Sequence, residues 1–469
     1  MPAPTMPSCK QRARFLLPHA ARGNVVLPTA ARPPPRRRPP VTVAAARPPP
    51  PRRAPTTTTT TTAATRRPPV AFAAKAPASK WDATPSALTA YSVALLTLAL
   101  GAIPGASDAL GGRSYVPYFL SIATVTIFIG SHRSLSNRQL QGLTLKQSAF
   151  APVAASVSLF GIYTILKNLN VDVVALLIGG YFGLITLFSV SGVVRTPLAA
   201  AMQRSGVPDA TLWTAPEDWF EEERGAGDEE ELRVCVSDTI ALAIGLAVAV
   251  ADASTNHRIP WLSNFSAMCV AAELLSGISL GSYWTAAALL SGLLVYDVFW
   301  VFFSPRAVGE NVMVVVATSK VISGPTRLLF PRPTAVADAA AASGSGSIMD
   351  YTLLGLGDVL VPGLMVALAL RADAARKARW GSFADGVEAL REEDASWFAS
   401  RPLFTAALGG YGVGLGMAFV ANGVFKAAQP ALLYLSPCVL LATLGCAAAR
   451  GEVGDFLAWR DGSRDDGSR

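Results

Sequence analysis

From residue 88 onward, apolar runs alternate with short polar joints. The runs fall at 88–104, 115–131, 149–166, 171–194, 236–252, 261–276, 284–304, 351–370, 403–421 and 429–449. Most approach the roughly 20 residues that a helix needs to cross about 30 Å of hydrocarbon. Backbone groups in lipid must be satisfied within the segment, which favours helices. None of the runs shows the apolar–polar alternation of barrel strands. The pattern predicts an all-α, polytopic membrane protein with about nine transmembrane helices. The first run is short and ends at Pro104-Gly105, so it reads either as the apolar part of a targeting sequence or as an extra span.

Composition agrees with that class. Hydrophobic residues make up 51% of the 469, and only 15% are charged, against about 25% in a soluble domain. The net charge of +8 belongs to a tail. Residues 1–80 hold 15 Lys or Arg, no acid, and 18 of the 34 prolines, whereas the remaining chain has 25 basic and 32 acidic residues. Such a tail buries too little apolar surface to offset its ordering entropy, so 1–80 reads as disordered. Its acid-free, Ala/Arg-rich composition also suits an organelle transit peptide. It lacks the aromatics that nucleic-acid binding would want, so no nucleic acid is expected as a partner.

Charge placement orients the other nine runs. If 115–131 starts on the lumenal side, the cytosolic joints carry 17 Lys or Arg and the lumenal joints 7. That asymmetry favours a cytosolic C-terminus. The acidic loop Glu217–Glu231 reads as a solvated loop. Five scattered cysteines form no CxxC pair, and no HExxH occurs, so neither a zinc site nor any other cofactor is expected. The three histidines, His19, His132 and His257, read as solvated loop residues.

Ionisable groups inside apolar spans are expensive and call for a reason. Asp297 lies in Leu293–Phe302, and Asp358 in Leu354–Leu360. Asp297 precedes Ser304, the expected end of its helix, by seven residues; Asp358 follows Tyr351, the expected start of the next, by seven. At 1.5 Å per residue each carboxyl lies roughly 10 Å below the same surface, so the two can meet. Two adjacent carboxyls cannot both ionise cheaply and therefore share a proton. The ionised one can take a proton from water, and the protonated one can polarise a carbonyl and protonate the leaving nitrogen. The pair titrates as a unit, with no fixed role for either residue. Gly355 and Gly357 let a helix or a substrate backbone approach closely. Pro430 suits a first helical turn. Glu273 is a third acid in an apolar run, open to a direct role or to pairing with a neighbouring helix.

Three segments carry a resemblance. Tyr296-Asp297, Gly355 to Asp358 and Pro430-Ala431-Leu432 stand in the order of the YD, GxGD and PAL motifs of the signal peptide peptidase family, including its signal peptide peptidase-like branch. GxGD alone is weak, but the ordered triple is specific, and the similarity covers about residues 115–455. The resemblance implies a presenilin-like catalytic core with Asp297 and Asp358 as catalytic aspartates. Tyr296, Gly355 and Gly357 would shape the active site, and Pro430, Ala431 and Leu432 would help hold unwound substrate. It implies hydrolysis within membrane-spanning peptides such as remnant signal peptides and type II segments, in the endoplasmic reticulum, with a plastid membrane as the alternative because of the tail. The family's common retrieval signal is missing from the chain's end, and a homo-oligomer stays open. Residues 456–469 read as a polar C-terminal tail.

Other readings are a presenilin-like protease of opposite orientation, a proton- or cation-coupled transporter using the same acids, and a non-proteolytic binder of membrane segments. Internal repeats of the transporter kind are not evident, and the serines Ser345 and Ser347 sit in a polar loop, which disfavours serine proteolysis.

Overall fold

The computed structural model describes residues 81, 84–103, 115–135, 141–168, 171–214, 233–255, 259–309, 312–319, 324–331, 351–380, 386–387, 389–390, 397–425 and 429–461. The tail 1–80, the whole acidic loop Glu217–Glu231, the serine-bearing loop and His257 lie outside the described residues.

Ten long helices account for the apolar runs: α1 (Pro85–Ala102), α2 (Tyr115–Ser134), α3 (Leu145–Asn168), α4 (Val171–Arg204), α5 (Val236–Ser254), α6 (Pro260–Gly277), α7 (Tyr283–Val298), α8 (Leu356–Lys377), α9 (Pro402–Phe425) and α10 (Leu432–Ala449). Among the described residues, eight helices are long and apolar enough to cross a membrane. The other two long ones, α6 and α8, carry more polar residues. Nearly every residue of α8 from Pro362 to Ala375 is buried against protein, and α6 is buried along most of its length. A helix sheathed by other helices has little need of a lipid-compatible surface, provided its polar groups are bonded. Conversely, α3 and α4 expose Phe150, Val157, Leu176, Leu177, Leu184 and Phe188, as helices facing hydrocarbon should.

The first run is an integrated helix. Thr84 caps α1, accepting from the Ala87 N–H at 3.3 Å. Ala87, Ala94 and Leu98 are buried in the main core, and α1 packs on α2 and α6. A Cβ on Gly101 would lie 2.6 Å from the Tyr118 hydroxyl, so glycine permits the close crossing.

His132 departs from its expected solvated place. It is fully buried near the end of α2, with Nδ1 2.8 Å from the Phe128 carbonyl oxygen and its ring stacked on Phe128. A short polar residue at a run's edge reads as a loop in sequence, yet here the helix continues through it to Ser134.

Glu273 pairs with Arg133 at 3.3 Å, and the same guanidinium donates to the Gly192 carbonyl at 3.0 Å and to Thr196 Oγ1 at 2.8 Å. This joins α2, α4 and α6, so Glu273 belongs to helix pairing.

The expected polar tail is also partly built in. A short helix, Val453–Ala458, buries Phe456, and Asp461 reaches back into the bundle. Its backbone N–H donates to the Gly281 carbonyl at 2.8 Å. Its carboxylate takes both Nε and Nη2 of Arg371 on α8, at 2.6 and 2.8 Å, and accepts from Ser279 Oγ. Bidentate geometry makes this a strong contact.

Strands are few. Two-stranded pairings join Gln141–Gly142 to Ile278–Ser279 and Thr211–Thr214 to Arg233–Cys235. The third ladder matters for the site: β1 (Arg327–Pro331) pairs antiparallel with β2 (Tyr351–Gly355), register Arg327 to Gly355. β2 runs directly into α8, and the Leu356 N–H donates to the Thr326 carbonyl at 2.9 Å.

Candidate active site

Asp297 sits one residue before the end of α7 and is 3% exposed. A π-helical segment, Phe299–Phe303, follows at once, and the helical path then continues through Ser304–Val308. Single π turns are rare and collect at functional positions. Around it, Trp300 Nε1 donates to Ser156 Oγ on α3 at 3.1 Å. Lower on α7, Gly292 makes room for Pro152 of α3, whose Cγ would lie 2.6 Å from an added Cβ. Helix α7 is thereby seated on α3. Tyr296 faces the small cluster of Tyr163, Trp300 and Val312.

Asp358 occupies the first turn of α8, with Gly355 as the N-cap. The expected helix start at Tyr351 is therefore corrected: residues 351–355 are extended and paired with β1. The β-branched and aromatic residues Tyr351 and Thr352 favour a strand, and Gly355 ends the strand where the helix begins. The equal-depth argument assumed helix on both sides of the acids, and the helical path that begins with α7 continues past Ser304 to Val308. The helices that carry the two acids nevertheless pack against each other. Asp358 keeps some accessible surface, while Gly355 and Gly357 are exposed. A Cβ on Gly355 would lie 3.2 Å from Asp358 Oδ2, whereas one on Gly357 would meet nothing within 4 Å. The first turn of α8 thus has one glycine making room for the carboxyl and another facing open space.

The third segment reaches the same place from the far end of the chain. Pro430 is buried and precedes the helix, which starts at Leu432 with Ala431 as its N-cap. The expectation that Pro430 sits in the first helical turn is corrected by one step. The first N–H groups of a helix have no intrahelical partner, and that of Leu432 is used: it donates to Asp297 Oδ2 at 3.1 Å. Ser436 Oγ also donates to the Leu290 carbonyl at 3.3 Å, fastening α10 to α7. The Pro430–Leu432 turn is thereby joined to Asp297, and the helices of Asp297, Asp358 and Leu432 pack on one another, while Tyr296 packs on the Tyr163, Trp300 and Val312 cluster. Two acids with an open approach beside one of them can activate water and donate a proton.

Two neighbours carried no signal in the sequence. Asn264 on α6 grips β1: its Nδ2 donates to the Leu329 carbonyl at 2.7 Å, and its Oδ1 accepts the Leu329 N–H at 2.7 Å. Nδ2 also lies 2.8 Å from the Tyr118 hydroxyl. Tyr411 on α9 is fully buried. A glycine-rich stretch, Gly409–Gly416, surrounds Tyr411, but such stretches mark packing in general.

Known proteins are similar to this chain over most of its length. Residues 135–463 match the family described as signal peptide peptidase. A signal peptide peptidase of Mus musculus is 27% identical over 356 residues, covering 74% of this chain and 83% of the relative. Signal peptide peptidase-like 1 of Oryza sativa subsp. japonica is 33% identical over 267 residues, 51% of this chain and 67% of the relative. A probable intramembrane protease of Schizosaccharomyces pombe is 28% identical over 353 residues, 74% of this chain and 94% of the relative. With a family match over most of its length and eight membrane-capable helices among the described residues, the chain belongs to the signal peptide peptidase family of intramembrane aspartyl proteases.

Proposed function

We propose that Asp297 and Asp358 are the catalytic pair and that the protein hydrolyses peptide bonds inside transmembrane segments, among them remnant signal peptides and other type II segments. The observation that supports this reading is the mutual packing of the three helices that carry Asp297, Asp358 and Leu432, with the Leu432 N–H bonded to Asp297 Oδ2.

In the reaction, one carboxylate takes a proton from water while the water oxygen bonds to the scissile carbonyl carbon. The protonated partner donates toward the carbonyl oxygen. The tetrahedral intermediate then loses its C–N bond as the leaving nitrogen takes a proton from the pair. Each step returns one shared proton to the two acids, and the roles belong to the pair. A helical substrate hides its carbonyls in intrahelical bonds, so it must extend locally before attack. The open space at Gly357 suits an extended backbone. Pro430, Ala431 and Leu432 lie where they can help hold that backbone, and Tyr296 supports the π turn beside Asp297.

The protease body on this reading begins at α1, which shares the core of α2 and α6. The endoplasmic reticulum is the proposed membrane, with a plastid membrane as the alternative. The test is cleavage of a type II transmembrane peptide by detergent-solubilised protein, with Asp297→Asn and Asp358→Asn compared at matched folding. Cleavage within the span by wild type, abolished by either change, supports the dyad. Unchanged cleavage by both variants rejects it.

A further inference from the structure

Just past Asp297 the helical bonding changes twice. The Phe299 N–H is shared between the Tyr296 and Val295 carbonyls, and the Ser304 N–H reaches back five residues to the Phe299 carbonyl. Such a widened turn holds one residue more than regular helix. Relaxing it would rotate the segments on its two sides against each other by roughly 100°, one residue's share of a 3.6-residue turn. Asp297 stands at that junction, so the direction of its carboxyl depends on what traps the turn.

The trap is built on α3. Of Phe299–Phe303, Trp300 alone is buried. Its indole Nε1 donates to Ser156 Oγ at 3.1 Å, and Ser156 Oγ donates onward to the Pro152 carbonyl at 2.9 Å. The indole also stacks with Phe160, ring centroids 6.5 Å apart. Within the turn, the Trp300 carbonyl accepts from Ser304 Oγ at 2.6 Å. Pro152, Ser156 and Phe160 recur every four residues, so they share one face of α3. That face meets α7 at Gly292, before Asp297, and again at Trp300, after it. Both sides of the junction are thus pinned to the same helix. An indole N–H among apolar helices needs an acceptor, so the bond to Ser156 resists breaking. The Leu432 N–H fixes one oxygen of Asp297 from the α10 side, but a single bond to one oxygen leaves the backbone that carries it free to turn.

We infer that Trp300 is a positioning residue for Asp297: its indole N–H, bonded to Ser156 on α3, traps the widened turn and so fixes the direction in which α7 presents the Asp297 carboxyl. The inference rests on the dyad reading above. Trp300 and Ser156 act through the α7 backbone.

The test uses the full-length protein in detergent with the type II peptide as substrate, and rates are taken per folded molecule from melting curves. Trp300→Phe keeps an aromatic ring and deletes the N–H. Ser156→Ala deletes the acceptor, and Ser156→Thr keeps a hydroxyl. Each of the first two should lower kcat about tenfold, the effect of about one hydrogen bond, with KM unchanged. The double variant should fall no further than either single one, and Ser156→Thr should restore most of the lost rate. Wild-type kcat in Trp300→Phe or Ser156→Ala, with Asp297→Asn inert, overturns the inference and leaves the dyad standing. So does a double variant that loses the product of the two single effects, because the two residues then act separately. A lower melting temperature with kcat per folded molecule unchanged overturns it as well, because the bond is then only structural. Cleavage by Asp297→Asn at the wild-type rate overturns both readings.

Discussion

The grip of Asn264 on β1 gives the sharpest energetic prediction. The Asn264 amide meets the Leu329 N–H and carbonyl as a neighbouring strand would, at 2.7 Å each. Asn264 is 1% exposed and Leu329 9%, so water cannot replace the lost bonds. Asn264→Leu keeps the volume and strands both backbone groups of Leu329. Two orphaned groups at about 1–3 kcal/mol each give about 2–6 kcal/mol of destabilisation. The added apolar burial returns about 1–2 kcal/mol. Taken mid-range, these give a net loss of about 2–3 kcal/mol, read by denaturant unfolding of the detergent-solubilised protein. Activity should fall further than stability, because β1 holds β2, and β2 runs into the turn that carries Asp358. Asn264→Asp should be no better, since it presents a second acceptor to the Leu329 carbonyl. A stability change below about 0.5 kcal/mol for Asn264→Leu, the scale of an unimportant surface change, would refute the claim that this amide anchors the hairpin.

Three further outcomes are expected. Asp461→Ala removes the bidentate partner of buried Arg371 and should destabilise by about 3–5 kcal/mol, seen as a lower melting temperature. Gly355→Ala sets a methyl 3.2 Å from Asp358 Oδ2 and should cut kcat while the protein still folds, whereas Gly357→Ala meets no atom within 4 Å and should mainly raise KM; equal kinetics for the two variants would count against the open approach at Gly357. Gly410→Ala pushes a methyl to 2.7 Å from the Cys438 carbonyl oxygen and should part α9 from α10, lowering both the melting temperature and activity.

The helices were legible because each apolar run must satisfy its own backbone, and the runs 115–131, 236–252 and 403–421 lie within α2, α5 and α9. What the sequence hid was non-local. Tyr351–Gly355 is apolar enough to pass for helix, and only its pairing with Arg327–Pro331 makes it a strand. His132 and Glu273 look like a loop residue and a spare acid until Trp81 and Phe404 close around the first and Arg133 pairs with the second. The positions of Asp297 and Asp358 stood out because ionisable groups in apolar runs are rare. Asn264 and Tyr411 did not, since an amide or a phenol inside a run has many ordinary uses. The PAL turn was visible as letters, but its contribution to Asp297 is a backbone N–H, and no side-chain pattern encodes that.

The bond from Leu432 to Asp297 bears on biogenesis. The two residues are separated by 135 positions, and α10 is the last of the long helices to leave the ribosome. Until it inserts, Asp297 lacks the N–H that fixes it, and α9 lacks the partner that sets its rotation. A nascent chain can hold both acids in the bilayer and still have an unfinished site. On the dyad proposed above, cleavage would await the insertion of α10.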